Sequence, residues 1–193
     1  MIRTVVVAGL PGSGKTSVIE SSCKNLKFTF IGNNAESSEK MSSVAEHVDH
    51  YPMKSPCARV RQFEYRVELN SKDNVNLIIS EPPGNCMEIS SPMLNPFYVF
   101  RKDSYEIGPL ITVIDGNSLL KTGVSRKNTN SLRYRSMINE SDVIVITFSE
   151  DEKITEMIRD INTDAEILHF PKDTERIGEL IGGDSHYSRA LLI

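Results

Sequence analysis

Cysteine is scarce. The chain holds three, Cys23, Cys57 and Cys86, with no C-x-x-C pair among them. An odd count without paired spacing excludes a disulfide framework and fits a reducing compartment. Long apolar runs are missing as well: nothing approaches the roughly 20 residues of a bilayer-spanning helix. The opening residues Met1-Ile2-Arg3-Thr4-Val5 enter a strand pattern directly, without the layout of a signal peptide. A basic excess is also lacking. The formal net charge of -4 argues against a general nucleic-acid surface, which needs a positive field, but leaves room for a local site binding one nucleotide. There is no internal repeat and no low-complexity tract. The expectation is a cytoplasmic protein with neither a membrane nor a nucleic acid as partner. At 193 residues, it should form one domain over 1–193, with 183–193 a loosely held tail.

What is present is an alternation of strands and helices. Val5-Val6-Val7 lies in a short apolar run, Ile2–Ala8, of the kind that forms a buried parallel strand. A glycine loop follows, then a helix over 16–25 and a strand over 26–31, ended by Gly32-Asn33-Asn34. Residues 36–50 place Met41, Val44, Ala45 and Val48 at helical spacing, which predicts an amphipathic helix. Residues 51–57 contain two prolines and should be irregular. Residues 60–69 alternate like a strand, yet Val60, Phe63 and Val67 also line one side of a helix. Residues 75–80 read as a buried strand ending in Glu81-Pro82-Pro83-Gly84. Residues 85–102 read as a long proline- and methionine-rich loop with a short helix.

Further strands are expected over 110–114, ending at Asp115, over Val143–Thr147 and over 165–170. Helices are expected over 118–139, broken near Gly123, along the Ile154, Met157, Ile158 and Ile161 stripe, and over 174–181. The predicted fold class is three-layer α/β, a mostly parallel sheet with helices on both faces. Such sheets bind ligands beyond the carboxyl ends of their strands. Gly9 to Thr16, Gly32-Asn33-Asn34, Glu81, Asp115 and residues 147–150 all fall at that end.

Gly9-Leu10-Pro11-Gly12-Ser13-Gly14-Lys15-Thr16 fits G-x-x-x-x-G-K-[ST] at every fixed position, between a strand and a helix as that motif requires. The glycines let successive backbone N–H groups turn inward, and with the helix N-terminus they form a nest for anionic phosphate. Gly9, Gly12, Ser13, Gly14, Lys15, Thr16 and Ser17 are therefore the candidate nucleotide-binding residues. Lys15 can reach the β- and γ-phosphates, and the Thr16 hydroxyl can face Mg2+. A phosphate loop of this type also needs a carboxylate near the metal and a group that senses the γ-phosphate. Glu81 at a strand end can orient a magnesium-bound or attacking water, and the Gly84 amide can touch the γ-phosphate. Lys15, Glu81 and Gly84 are the candidate catalytic residues.

The phosphate loop together with Glu81-Pro82-Pro83-Gly84 resembles the E-x-x-G class of P-loop GTPases, which includes the HypB, UreG and CobW metallocentre-assembly proteins. Val113-Ile114-Asp115 extends the likeness, which covers Met1 to about Asp160. The resemblance implies binding of GTP with Mg2+ and hydrolysis of that nucleotide. It implies pairing as a homodimer around nucleotide or metal, and delivery of Ni2+, Co2+ or Zn2+ to a client metalloenzyme or its accessory proteins. It also favours a helix over 60–69.

The family often carries a metal-binding cysteine in the interval where Cys57 stands, within Ser55-Pro56-Cys57-Ala58-Arg59. The partner histidine of those motifs is absent here, as is the cobalamin-type C-x-C-C. Asn33 stands where hydrogenase and urease types have an acidic residue. The guanine-reading N-K-x-D should follow the Val143–Thr147 strand, but the chain has Thr147-Phe148-Ser149-Glu150. Glu150 is the candidate guanine acceptor, and GTP stands above ATP on the resemblance alone.

Cys57, Cys86, His47 and His50 are the possible soft ligands; helical spacing would put both histidines near one face. The histidines read equally as surface residues and Cys57 as an ordinary thiol. Cys23 reads as core. Arg126, Lys127, Arg133 and Arg135 read as a solvated helix face, or as a lid over substrate. Two other functions share the phosphate loop: a small-molecule kinase with Glu81 as base, and a nucleotide-gated binding module with little turnover, suggested by Asn33 and the altered base loop.

Overall fold

The computed structural model describes residues 1–52, 60–71, 75–84, 89, 93–125, 128–183 and 185–186, with the side chains of 60–63 left aside. Cys57, Cys86, Arg126, Lys127 and most of the 183–193 tail lie outside the described residues.

The chain alternates strand and helix, and every strand among the described residues joins one parallel sheet. The strands are β1 (Ile2–Ala8), β2 (Thr29–Gly32), β3 (His47–His50), β4 (Leu77–Glu81), β5 (Tyr105–Asp115), β6 (Val143–Thr147) and β7 (Glu166–His169). The helices among the described residues are α1 (Lys15–Ser22), α2 (Ala35–Met41), α3 (Val60–Asn70), α4 (Asn95–Arg101), α5 (Gly116–Thr122), α6 (Thr129–Glu140), α7 (Glu152–Arg159) and α8 (Thr174–Gly182). The order across the sheet is β3-β2-β4-β1-β5-β6-β7, with β1 hydrogen-bonded to β4 on one side and β5 on the other.

The valine run of β1 is apolar on both sides because both sides are covered. Val5 and Val7 pack with Val18 and Ile19 of α1, Met41 of α2 and Ile177 of α8. Val6 and Ala8 point the other way, toward Val67 of α3 and Phe97 of α4. On that second face, farther along the sheet, Ile114, Ile144 and Ile146 meet Leu119, Ile138, Ile154 and Ile158 of α5, α6 and α7. These are the three layers expected of α/β alternation.

Three expectations change. The helix over 36–50 is half a helix: α2 ends at Met41, and 47–50 form β3, a seventh strand on the sheet edge paired with β2. Val44, Ala45 and Val48 still pack against the same core cluster as Met41, so the apolar spacing was real while the backbone carrying it was not helical. In a strand, side chains three apart fall on opposite faces. His47 and His50 therefore do not share one. The open choice at 60–69 resolves as helix α3, whose Arg66 and Asn70 side chains donate to Asp49 of β3 at 3.2 and 2.9 Å. The strand over 110–114 is the inner part of a longer one, because β5 runs from Tyr105 through Gly108 and Pro109. Beside it the buried Arg3 guanidinium pairs with Glu106 and donates to the Ile181 and Leu180 carbonyls of α8.

Candidate phosphate site

β1 leads into a loop whose three glycines adopt backbone conformations that side chains disfavour: φ is 150° at Gly9, 79° at Gly12 and 88° at Gly14. A Cβ on Gly9 would lie 2.5 Å from the Val113 carbonyl oxygen and 2.6 Å from Ser13 Oγ. Ser13 N–H closes the turn onto the Leu10 carbonyl at 3.2 Å. Gly14 is the N-cap of α1 and provides no side-chain cap, so the first N–H groups of that helix are left to other acceptors.

Lys15 and Glu81 are buried here, 7% and 4% exposed. Lys15 Nζ donates to the Leu10 carbonyl at 3.1 Å and stands 3.9 Å from Glu81 Oε1. Thr16 Oγ1 donates to Glu81 Oε2 at 3.1 Å. Parallel pairing brings these groups together, since β1 and β4 are neighbours with Val6 opposite Ser80. Burial raises the Glu81 carboxyl above the ordinary carboxylate range, opposed by the Lys15 charge and the Thr16 hydroxyl. Burial likewise lowers the Lys15 ammonium, opposed by Glu81. The pair is partly desolvated, and each group is the other's compensation.

Gly84 closes the site from the β4 side. A Cβ there would lie 2.4 Å from the Gly9 carbonyl oxygen and 2.8 Å from Pro11 N and Cδ. Two segments more than seventy positions apart in sequence thus meet backbone to backbone, and only glycine permits that approach.

The remaining candidates are less central. Ser17 is exposed on α1. Asp115 at the end of β5 caps α5, accepting from Ser118 N at 3.1 Å and Ser118 Oγ at 2.7 Å. Glu150 is exposed just beyond β6. Cys23 is fully buried and its thiol is pushed up to about 12, as a core residue requires. Arg133 and Arg135 are half-buried on α6 rather than lying on a solvated face. Among the described residues, no group of three or more His, Cys, Asp and Glu is gathered to hold a metal ion, and no helix is long and apolar enough to cross a membrane.

Motif reading missed the bracing of the loop. Thr147 Oγ1 reaches the Ser13 carbonyl at 2.9 Å and the Ile114 carbonyl at 3.2 Å, tying the end of β6 to the phosphate loop. It missed Glu140 too, whose buried carboxylate accepts Ile89 N–H at 3.0 Å and ties Ile89 to α6. Glu140 belongs to no motif, Thr147 stands where a base-reading residue was expected rather than a loop brace, and only the fold brings the two to these partners.

A strand, a loop with three positive-φ glycines, and a helix opening on Lys15 and Thr16 define the P-loop class of nucleotide-binding domains. The chain belongs to the CobW/HypB/UreG family, whose nucleotide-binding domain matches residues 3–169. Its fold is similar to that of hydrogenase maturation factor HypB from Archaeoglobus fulgidus: TM-score 0.59 and 16% identity, covering 88% of this chain and 81% of that one. It is similar to HypB from Helicobacter pylori in complex with nickel, with TM-score 0.59, 15% identity, and 92% and 84% of the two chains covered. It is also similar to Zn(II)-bound YjiA GTPase from E. coli, with TM-score 0.60 and 13% identity; there 96% of this chain corresponds to 66% of the other. Among curated proteins, none matches by sequence.

Proposed function

We propose that the chain binds and hydrolyses a nucleoside triphosphate with Mg2+, GTP in preference to ATP, and couples that cycle to assembly of a metal centre. The observation that carries the reading is the buried pair Lys15 and Glu81 with the half-buried Thr16 at the mouth of the phosphate loop, and Gly84 against Gly9.

The donor set fits magnesium. A hydroxyl and a carboxylate, both hard oxygen ligands, stand side by side at the end of an anion-binding loop. Thr16 would hold the ion directly and Glu81 through a water. The bound ion would neutralise charge on the phosphate oxygens. Lys15 would exchange its contact with the Leu10 carbonyl for phosphate oxygens. Glu81, kept out of bulk water, would orient the attacking water, and the Gly84 amide would meet the γ-phosphate. Glu150 would accept from the guanine edge. The preference for GTP rests on family membership.

The reading takes 1–193 as one cytoplasmic nucleotide-binding domain that pairs with a second copy around nucleotide or metal. Nickel, cobalt or zinc would be cargo for a client metalloenzyme, with Cys57 the candidate cargo ligand. The nickel-bound HypB and zinc-bound YjiA relatives support this direction.

Calorimetry with GTP, GDP, ATP and ADP in Mg2+, followed by titration of the same samples with Ni2+, Co2+ and Zn2+, tests it. The expected result is tight GTP binding, slow release of phosphate, and metal affinity that depends on nucleotide. Protein that binds no triphosphate overturns the first part, and protein that binds no transition metal in any nucleotide state overturns the second.

A further inference from the structure

Phe100 is 73% exposed, more than any other Phe or Tyr among the described residues, and Tyr65, Val99 and Leu69 are exposed as well. All four lie on α3 and α4. These two helices sit side by side, because Arg101 of α4 pairs with both Glu64 and Glu68 of α3. Val67 of α3 and Phe97 of α4 are buried in the core cluster on the sheet side. Residues four apart share one side of a helix. Glu64 and Glu68 thus form the ridge of α3 that meets Arg101, and Tyr65 and Leu69 form the next ridge, turned to solvent. The layer that covers this half of the sheet carries large apolar side chains on its outside.

Single exposed apolar residues need no explanation, but four on two adjoining helices make a patch of roughly a few hundred Å2, the size that marks an interaction site. The charges beside it are neutralised within the chain. Arg101 is held by Glu64 and Glu68, and Arg66 by Asp49. The charged residues of α3 cancel, Arg61 and Arg66 against Glu64 and Glu68. Lys102 and Asp103, which follow α4, have opposite signs. A strongly acidic or basic partner would find no uncompensated charge on this face. Two copies of the chain, each with net charge -4, repel in an average encounter; here they could meet without bringing unpaired like charges together.

We propose that the outer face of α3 and α4 pairs with the same face of a second copy of this chain across a two-fold axis. Such a contact needs a patch complementary to itself, and an apolar, locally neutral patch meets that condition. Phe100 and Tyr65 supply the aromatic anchors, and the Arg101, Glu64 and Glu68 group is the polar part of the contact. The face looks away from the sheet, whereas the phosphate loop lies beyond the ends of the strands. Pairing here therefore needs neither nucleotide nor metal. That separates it from pairing around a bound nucleotide, and it stands even if the nucleotide reading fails. A stable dimer buries about 800 Å2 on each partner, more than the apolar patch alone provides, so the contact is weak, with Kd in roughly the micromolar range.

The test is sedimentation velocity on the full chain, in EDTA and without nucleotide, over about 1 to 300 μM, a range that brackets a micromolar Kd. The wild type should pass from monomer to dimer, and added salt should not dissociate it. Phe100→Asp should weaken the association about tenfold or more without lowering the melting temperature. Tyr65→Asp, on the other helix, should do the same, so a folding defect in one variant leaves the other to decide. Phe100→Leu should keep the dimer. So should Leu132→Asp, which places the same charge at an exposed apolar residue of α6. A wild type that stays monomeric throughout the range overturns the proposal, whether the face is bare or serves a different protein. Association that both aspartate variants leave unchanged overturns it too. So does a dimer that forms only with nucleotide or metal, which would put the contact at the phosphate loop.

Discussion

Thr16 donates its hydroxyl proton to Glu81 across 3.1 Å, joining the first turn of α1 to the last residue of β4. With Lys15 3.9 Å from the other carboxylate oxygen, the three side chains form a closed electrostatic unit beneath the phosphate loop. A buried pair of this kind stabilises little by itself, because desolvation offsets the attraction. Its arrangement suits a site whose counter-charges arrive with a ligand.

Lys15→Ala should lower triphosphate affinity more than about a hundred-fold, since it removes charge-assisted hydrogen bonds to phosphate worth roughly 1.5–3 kcal/mol each. Equilibrium titration with GTP and ATP measures this. An unchanged affinity would overturn the assignment of the loop.

Glu81→Gln should keep triphosphate binding and abolish hydrolysis, measured by single-turnover phosphate release. It also has a pH signature. The folded-state value of Glu81 is raised, whereas an unfolded glutamate titrates near about 4.3. Between those two values the folded protein binds more protons, so this group's contribution to stability falls as pH rises through the window. The variant lacks that slope. Its stability relative to wild type, from urea denaturation across a pH series, should increase as pH rises from about 4 toward neutrality; a difference that shrinks over the same range would contradict the raised value.

Gly84→Ala should disrupt the phosphate loop. The new methyl would enter backbone atoms of Gly9 and Pro11 that cannot yield as a flexible side chain would. The expected cost is about 1–3 kcal/mol, as for overpacking elsewhere, with weakened triphosphate binding. Thermal melting and the same titrations provide the check. A variant that matches wild type in both would show that the two loops can part freely.

Thr147→Val keeps the shape of a buried side chain and deletes the hydroxyl shared by the Ser13 and Ile114 carbonyls. The expected loss is about 1–3 kcal/mol, the penalty for unsatisfied buried polar groups. Nucleotide affinity should fall with it, because the loop loses its brace. Thr147→Ser should retain most of both.

The phosphate end of the site was legible because its chemistry is local. Eight consecutive residues specify the loop, and an apolar strand ending in Glu81-Pro82-Pro83-Gly84 announces the second half. The sheet was legible wherever strands are buried on both faces and read as unbroken apolar runs, as β1, β4 and β6 do. β3 was not, because an edge strand of sequence His-Val-Asp-His carries no such run, and its neighbours supply core contacts at intervals that mimic a helix. Thr147, Asn117 and Glu140 stayed hidden for another reason. Each acts on a backbone group 31 to 134 positions away, a relation that no local pattern encodes.

The sheet order bears on how this chain reaches its native state. β1 is the middle strand, yet its two neighbours lie far along the chain: Arg3 stands opposite Leu77 on one side and Glu106 on the other. The hydrophobic centre is written early and completed late. Until both neighbours are in place, Val5, Val6 and Val7 have no ladder to join and remain sticky. Non-local parallel pairings of this kind form slowly, since the loops must close before any contact rewards them. The time spent waiting for β4 and β5, rather than the strength of the finished core, is when this protein is most exposed to aggregation.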